Sequence, residues 1–551
     1  MKERFFHRLS LGVAAAFMLC AWAGTAEAVS SLSKPGEEIE NSQPQADAKV
    51  ESNLPELPSE TQEVRFTISN VRLDAQELKL NKEVLARILS QSVGVETTLS
   101  AFNQTVDKVT AYCRSNGYPA SAAFLPAQES TDGTVTIKVI PGRYGEVRIE
   151  NNSRLSERVI RGFLHGLKQG DIIRTAALET ALYSISDISG AKAIGVLSPG
   201  KDFGTSDLTV RVEDGKRSNT VLYAENYGSK NSGEYRFGVQ ESLYNLGGTG
   251  ARMNLGAMVS NEDLHNYYLN YETVVGHGGT KLGLGFSRMD YMLSIPRLDA
   301  NGTAHTISLF GSRPIFHLDN RKLEWRFGYD YRNLEDNLGQ FAGAADSKKH
   351  SHSVHVGLEG YNRWQGTYLD YSTTLTAGTL GTDTDFARQQ AENFKTDGGF
   401  TKLEASMTGV QALGHQTDVM LKLSGQTAFH NLDSSEDFYL GGANGVRAYP
   451  QGEASGDEGV LGTLELRYHT KLPGLTLSTY FDAGTTRSLH RSIQGWNSTT
   501  TLKGWGIGVS YTRPNDWFAR FDYARRIGGF ENMSEEAKSK DRMWFILGKI
   551  W

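Results

Sequence analysis

Two short stretches near the C-terminus hold the residues best suited to chemistry: Gly445-Val446-Arg447-Ala448-Tyr449-Pro450 and, later, Phe481-Asp482-Ala483-Gly484. Arg447 lies in a loop-like stretch. Asp482 falls in a strand-like run with Leu475, Leu477 and Phe481 on one side and Thr476, Ser478, Tyr480 and Asp482 on the other. A loop guanidinium and a strand carboxylate of this kind can form a charge-assisted lock inside a wide protein pore. Other constellations are weaker. Gly276 to Lys281 has the wrong spacing for a phosphate loop and sits between strands. His350 and His352 share a strand face while His355 takes the opposite one, so they read as lumen lining, not a metal site. No Ser-His-Asp or paired-carboxylate arrangement stands out, and no enzyme activity, cofactor or metal is expected. Cys113 shares a helical face with Phe102, Val106 and Val109 and reads as core packing.

The elements that must position these groups begin with a targeting segment. Lys2, Arg4 and Arg8 precede an apolar stretch from Leu11 to Gly24 and then Ala26-Glu27-Ala28, so residues 1–28 read as a secretory signal peptide. Cleavage leaves Cys113 alone, which excludes an intrachain disulfide. Downstream no apolar run is long enough for a helical membrane span, and the mean hydropathy is -0.41. A net charge of -6 over 551 residues gives no support to nucleic-acid binding. Seven of the eight Trp lie between Trp325 and Trp551, which suggests water as the solvent of the first part and bilayer for much of the second.

Residues 29–62 carry Pro35, Pro44, Pro55 and Pro58 among many Glu, Gln and Ser, and read as a flexible linker with room for a short helix around Asp47 to Leu54. Residues 63–142 then predict strand, helix, helix, strand, strand: Val64, Phe66 and Ile68 alternate, and Val84, Leu85, Ile88 and Leu89 follow helical spacing. Two strands, Ala122 to Gln128 and Val135 to Ile140, follow. The order repeats over 143–215, so two small α+β domains are expected. Their edge strands are natural docking sites for extended peptides.

Residues 216–551 change to runs of about ten residues with alternating polarity. Leu323, Trp325, Phe327, Tyr329 and Tyr331 alternate with Glu324, Arg326, Asp330 and Arg332; Leu464, Leu466 and Tyr468 alternate with Glu465 and Arg467; and Trp517, Phe521 and Tyr523 alternate with Arg520, Asp522 and Arg526. Apolar-out, polar-in alternation with short links between long ones predicts a transmembrane antiparallel β-barrel of about 16 strands, its two ends on the periplasmic side. The fold class is mainly β, with the α+β domains in front. Pro314 inside the sixth run marks a bulge or a strand end.

These residues resemble the transporters of two-partner secretion, the haemolysin secretion/activation family, over essentially the whole mature chain. Gly117-Tyr118-Pro119, Leu125-Pro126-Ala127-Gln128 and Asp132-Gly133-Thr134 look like the first polypeptide-transport-associated (POTRA) domain of that family. Leu197-Ser198-Pro199-Gly200 and Gly204-Thr205-Ser206-Asp207 look like the second. The resemblance implies that Gly445, Val446, Arg447, Ala448 and Tyr449 sit in a loop, about 430–458, that folds into the pore, where Arg447 meets Asp482 beside Phe481 and Gly484. Ala448 stands where the family's motif has glycine, so the tip must avoid a Gly-only conformation. Met543, Phe545, Leu547 and Trp551 look like a C-terminal assembly signal, which Lys549 interrupts, its stem snorkelling to headgroups. The implied function is export of an unfolded haemolysin, adhesin or haemagglutinin-type partner through the outer membrane, with the POTRA domains in the periplasm. The implied partners are a large exoprotein with an N-terminal secretion domain, the outer-membrane bilayer and the barrel-assembly machinery. A barrel-assembly factor is the alternative, and its larger number of POTRA domains argues against it.

Overall fold

The computed structural model describes residues 47–52, 65–129, 132–188, 191–293, 300–338, 345–493, 498–529 and 534–551. The signal peptide reading, and the linker reading over 29–46 and 53–62, lie outside the described residues. The first described element corrects the short-helix expectation: Ala48–Ser52 is a strand, β1. A helix of five residues is marginal alone. As a strand the segment pairs with a neighbouring sheet and packs Ala48 and Val50 against that domain's core.

The first α+β unit contains β2 (Arg65–Thr67), β3 (Asn70–Asp74), α1 (Lys82–Ser90), β4 (Glu96–Thr98), α2 (Leu99–Ser115), β5 (Ala122–Phe124) and β6 (Thr134–Ile140). Asn81 Oδ1 accepts the first free amides of α1, and Thr98 Oγ1 accepts Ala101 N of α2. The strand expected over Ala122 to Gln128 stops at Phe124. Beyond it the Gln128 side chain takes the place of a strand, accepting Thr136 N at 2.7 Å and donating to Thr136 O at 2.9 Å. Cys113 is fully buried with Phe102, Val109 and Ile137, and burial pushes its thiol up to about 11, so it is inert at neutral pH.

The second unit contains β7 (Arg143–Asn152), α3 (Glu157–Leu164), α4 (Thr175–Ser186), β8 (Ala191–Pro199) and β9 (Thr205–Asp214). Its sheet order is β1-β8-β9-β7, against β3-β6-β5 in the first unit. In both, the first strand lies parallel to the last, and the middle strand lies antiparallel to the last. The repeat read in the sequence is therefore one of topology.

A closed barrel of sixteen strands follows. Its first half comprises β10 (Ser218–Glu225), β11 (Arg236–Leu246), β12 (Ala251–Ser260), β13 (His265–Val274), β14 (Lys281–Leu293), β15 (Ala300–Leu318), β16 (Arg321–Leu338) and β17 (Ser347–Trp364). The wall continues with β18 (Thr367–Thr382), β19 (Gly398–Ala412) and β20 (Thr417–Ala428), with a helix, α5 (Asp385–Phe394), in the link between β18 and β19. Two short strands, β21 (Phe438–Tyr439) and β22 (Ser455–Gly456), pair with each other inside the next link. β23 (Glu458–His469), β24 (Leu475–Arg487), β25 (Thr499–Thr512), β26 (Trp517–Arg526) and β27 (Asp541–Ile550) complete the wall, and β27 closes on β10. Leu284, Ile307, Trp325, Leu464 and Ile507 point outward and stay exposed, while Arg236, Lys402, Glu465, Asp482 and Asp522 point inward and are buried. Pro314 marks a bulge, with a register shift between Pro314 and Phe316. His350 and His352 correct the lumen-lining reading. Ser351 and Ser353 are the buried residues of that stretch, and His352 lies outward with Tyr329 Oη 2.7 Å from its Nδ1.

The second α+β unit is seated on the barrel's short turns. Tyr183 of α4 stacks on His317 with ring centres 4.8 Å apart, and Thr180 Oγ1 accepts His317 N at 3.0 Å. Asp187 Oδ2 lies 3.1 Å from His317 Nδ1 and 3.5 Å from Lys322 Nζ. The turn at Gly276 to Lys281 joins this seat: Gly278 N donates to Gly162 O, and His277 stacks on His165. Burial alone would raise the Asp187 carboxyl, but Lys322 and His317 outweigh it and hold it below the ordinary carboxylate range.

Because the folded value is lowered, Asp187 stabilises the seat fully above about pH 4 and loses that contribution as pH falls through the lowered value. We expect Asp187→Asn to weaken docking by about 1.5–3 kcal/mol at pH 7. Faster hydrogen exchange in α4 and the 318–321 turn reads this out, and the difference from wild type should shrink in acid.

Candidate functional site: a charge lock inside the barrel

The link between β20 and β23 folds back into the lumen. Main-chain bonds from Leu440 N to Ala454 O at 3.0 Å and Gly441 N to Glu453 O at 2.9 Å hold its two limbs together. Val446 N donates to Leu440 O at 2.7 Å, which closes the tip and presents Arg447 to the wall. A Cβ on Gly445 would stand 2.0 Å from Leu440 O, so the turn admits no side chain there.

Arg447 grips Asp482 in a bidentate pair, Nε to Oδ2 at 2.9 Å and Nη2 to Oδ1 at 2.9 Å, and its own main-chain N adds a third bond at 3.1 Å. Nη1 reaches Glu465 of β23 at 3.1 Å and Asp522 of β26 at 3.3 Å. The guanidinium lies over the Tyr480 ring, and the Arg447 main-chain carbonyl accepts Trp544 Nε1 of β27 at 2.7 Å. Arg520 also bonds Asp522, at 2.6 Å, and Glu465, at 3.2 Å, so two cations share three carboxylates. Thr463 Oγ1 donates to Asp482 Oδ1 at 2.9 Å. Charges this deep persist because every one has an opposite partner.

The wall is shaped to receive the loop. A Cβ on Gly484 would meet Leu440 Cδ2 at 2.6 Å, and one on Gly504 would meet the Ala448 methyl at 2.6 Å. Ala448 is not among the residues with positive φ, so the alanine fits without the conformation that glycine alone tolerates. Tyr449 is buried beside it, and Phe481 faces outward on the lipid side.

A second cluster holds the entry of the loop. Ser434–Glu436 forms a 3-10 turn, and Asp433 and Glu436 point into the wall. Lys349 Nζ of β17 lies 2.6 Å from Asp433, Arg332 Nη1 of β16 lies 2.6 Å from Glu436, and Lys402 Nζ of β19 lies 2.9 Å from Glu436. Gln426 Nε2 adds a bond to Glu436 O at 2.7 Å. The loop is thus tied to β16, β17 and β19 on one flank and to β23, β24 and β26 on the other. Sequence reasoning missed Asp433, Glu436 and Lys402. It placed Arg332, Glu465, Arg520 and Asp522 on a polar face without linking them to the loop. Only their inward parity signalled them.

The remaining expected residues lie apart from this site. Gly117, at φ +94, ends α2, and Tyr118 Oη accepts Lys79 N at 3.0 Å. Leu125 packs on the first core, and Pro126 O accepts Gln128 Nε2 at 3.3 Å. Pro199 ends β8, Gly200 leaves space for Thr205, and Asp207 accepts Glu146 N at 2.8 Å. They shape turns, edges and core contacts of the two α+β units. Met543, Leu547 and Trp551 are exposed on the outer face, with Phe545 between them half-buried. Lys549 is bonded to Asp516 at 2.8 Å and lies over Trp517, a fixed partner in place of headgroups.

Two variants test the seating of the loop by ion conductance of the purified barrel in planar bilayers. Glu436→Gln removes the shared partner of Arg332 and Lys402 and should raise conductance several-fold. Gly484→Val should do the same by displacing Leu440, whereas Gly529→Ala, with open space around it, should leave conductance unchanged.

The model described as haemolysin secretion/activation protein ShlB/FhaC/HecB matches residues 204–511, and that described as POTRA domain, ShlB-type, matches residues 66–142. The chain is 28% identical over 538 residues to the heme/hemopexin transporter protein HuxB of Haemophilus influenzae, covering 93% of this chain and 94% of that one. It is 23% identical over 518 residues to the outer membrane transporter CdiB of Dickeya dadantii, covering 90% and 89%. Its fold is similar to that of CdiB from Escherichia coli, with a TM-score of 0.70 at 18% identity over 98% of this chain and 99% of the other. CdiB from Acinetobacter baumannii gives 0.66 at 15% identity, over 94% and 96%. The chain belongs to the haemolysin secretion/activation family, the outer-membrane, POTRA-bearing transporters of two-partner secretion.

Proposed function

We propose that this transporter passes its partner through the barrel lumen, and that the loop carrying Arg447 is the element that moves to let it through. The observation that carries this reading is the burial of Arg447 among Asp482, Glu465 and Asp522: a polar, hydratable bond fills the space an exported chain needs. The partner is a large exoprotein that presents an N-terminal secretion domain to the periplasmic units as an extended chain. Likeness to a protein named as a heme/hemopexin transporter makes a heme- or hemopexin-directed exoprotein the first cargo to test. The barrel-assembly machinery inserts the chain, using the outward aromatic and aliphatic face of β27. Folding of the partner outside the cell gives the movement its direction, and the lumen's charged groups hold the loop instead of catalysing a reaction.

The test is secretion of a candidate exoprotein produced together with intact transporter, Arg447→Ala or Asp482→Ala, with barrel levels checked in the outer membrane. Either variant strands buried charges at a cost of about 3–5 kcal/mol. We expect at least a ten-fold loss of secretion with the barrel still inserted. Unchanged secretion would remove both residues from the mechanism.

A further inference from the structure

In the second periplasmic sheet, the edge that the domain's own fold leaves open is occupied. β1 lies beside β8 in parallel register, from Ala48 opposite Ala193 to Ser52 opposite Leu197. Ala48 and Val50 pack on the domain's core, whereas Lys49 and Glu51 pair with each other at 2.8 Å on the outer face. Entry to the strand is fixed by Ser186 Oγ donating to Asp47 O at 2.8 Å and by Lys192 Nζ, 2.8 Å from the Asp47 carboxylate. These contacts are modest. The segment is five residues long, and its ion pairs are exposed, a setting in which such pairs contribute little.

The corresponding edge in the first unit is a poorer platform. β5 spans only three residues and runs into Leu125-Pro126, where proline removes a donor. β8 offers nine residues, Ala191–Pro199, with a buried apolar face.

We infer that the β8 edge is the docking site for an extended segment of the exported protein, and that β1 is its resident competitor, so that docking proceeds by strand exchange. This rests on the reading above that the periplasmic units receive the partner as an extended chain. The seated strand states the chemistry of the guest. Its main chain runs parallel to β8, with small or branched aliphatic residues at alternate positions over the core and polar residues between them. A short resident of this kind keeps the edge from pairing with unrelated chains, which an open strand edge invites.

Lys49→Cys with Ile194→Cys tests the exchange, because these outward neighbours face each other across the pair, within the span of a disulfide, and Cys113 is buried. In cells, oxidation of the double variant should lower secretion at least ten-fold at unchanged barrel levels. Reductant should restore it, and each single variant should secrete normally. In a second measurement, a fluorescent synthetic peptide of residues 44–54 should bind the purified full-length transporter lacking residues 47–52 at least ten-fold more tightly than the oxidised double variant. Wild-type secretion by the oxidised variant, or equal peptide binding by the two proteins, would overturn the inference. Deleting the whole gene separates this from the function itself. Secretion that survives the deletion overturns the transport reading, whereas secretion lost on deletion but untouched by the disulfide overturns strand exchange alone.

Discussion

A permanently charged guanidinium, taken out of water in the middle of a barrel, is the constraint around which the rest of this lumen is arranged. Arg447 cannot shed its proton, so the wall must supply opposite charge wherever the loop comes to rest. Asp482, Glu465 and Asp522 do so from three different strands, Arg520 offsets part of their excess, Tyr480 covers the guanidinium face and Trp544 holds the Arg447 carbonyl. Such a bond suits a seat that has to be left. Burying an ion pair costs nearly as much hydration as the pair regains, so water entering an opening lumen can replace the contacts at small net cost. An apolar plug of the same size would hold more firmly and would have no such exit.

The lock acts on a loop that is shaped before it reaches the wall. The closed tip at Leu440 and Val446, and the pairing of β21 with β22, make the loop one hydrogen-bonded unit. Gly484 and Gly504 are the matching absences on the wall, each a missing Cβ where Leu440 or Ala448 comes to rest. The cluster at Asp433 and Glu436 places a second fixed point across the lumen. Release at Arg447 alone therefore leaves the loop tethered at its entry, and the two clusters act in series.

Much of this was legible in the sequence, and the gaps have physical causes. Alternation with period two gave the barrel, its lipid face and the inward aim of Asp482, because a strand leaves no choice about which side a residue takes. The repeat of α+β units followed from helical and strand spacing. Residues 48–52 misled, because a polar five-residue segment has no preference of its own and the β8 edge, distant in sequence, decides its form. The strand after Ala122 was read too long because a Gln128 side chain imitates a strand partner. His350 and His352 were put on the wrong face for want of the register. The partners Glu465, Asp522, Asp433 and Glu436 carried the right parity, but which charges meet across a lumen depends on the height of each strand, and that is set by the stagger of the closed barrel.

The central claim is that the exported chain travels through the lumen once the loop has left Asp482. A photocrosslinking amino acid placed singly at inward Thr463 or Ser478, at outward Leu464, or at outward Leu222 or Leu547 beside the β10–β27 seam would locate the chain in cells caught during export. Passage through the lumen predicts partner adducts at Thr463 and Ser478, and none at Leu464 or the seam. Adducts confined to the seam, with the lumen positions silent, would contradict it and point to lateral insertion as the route.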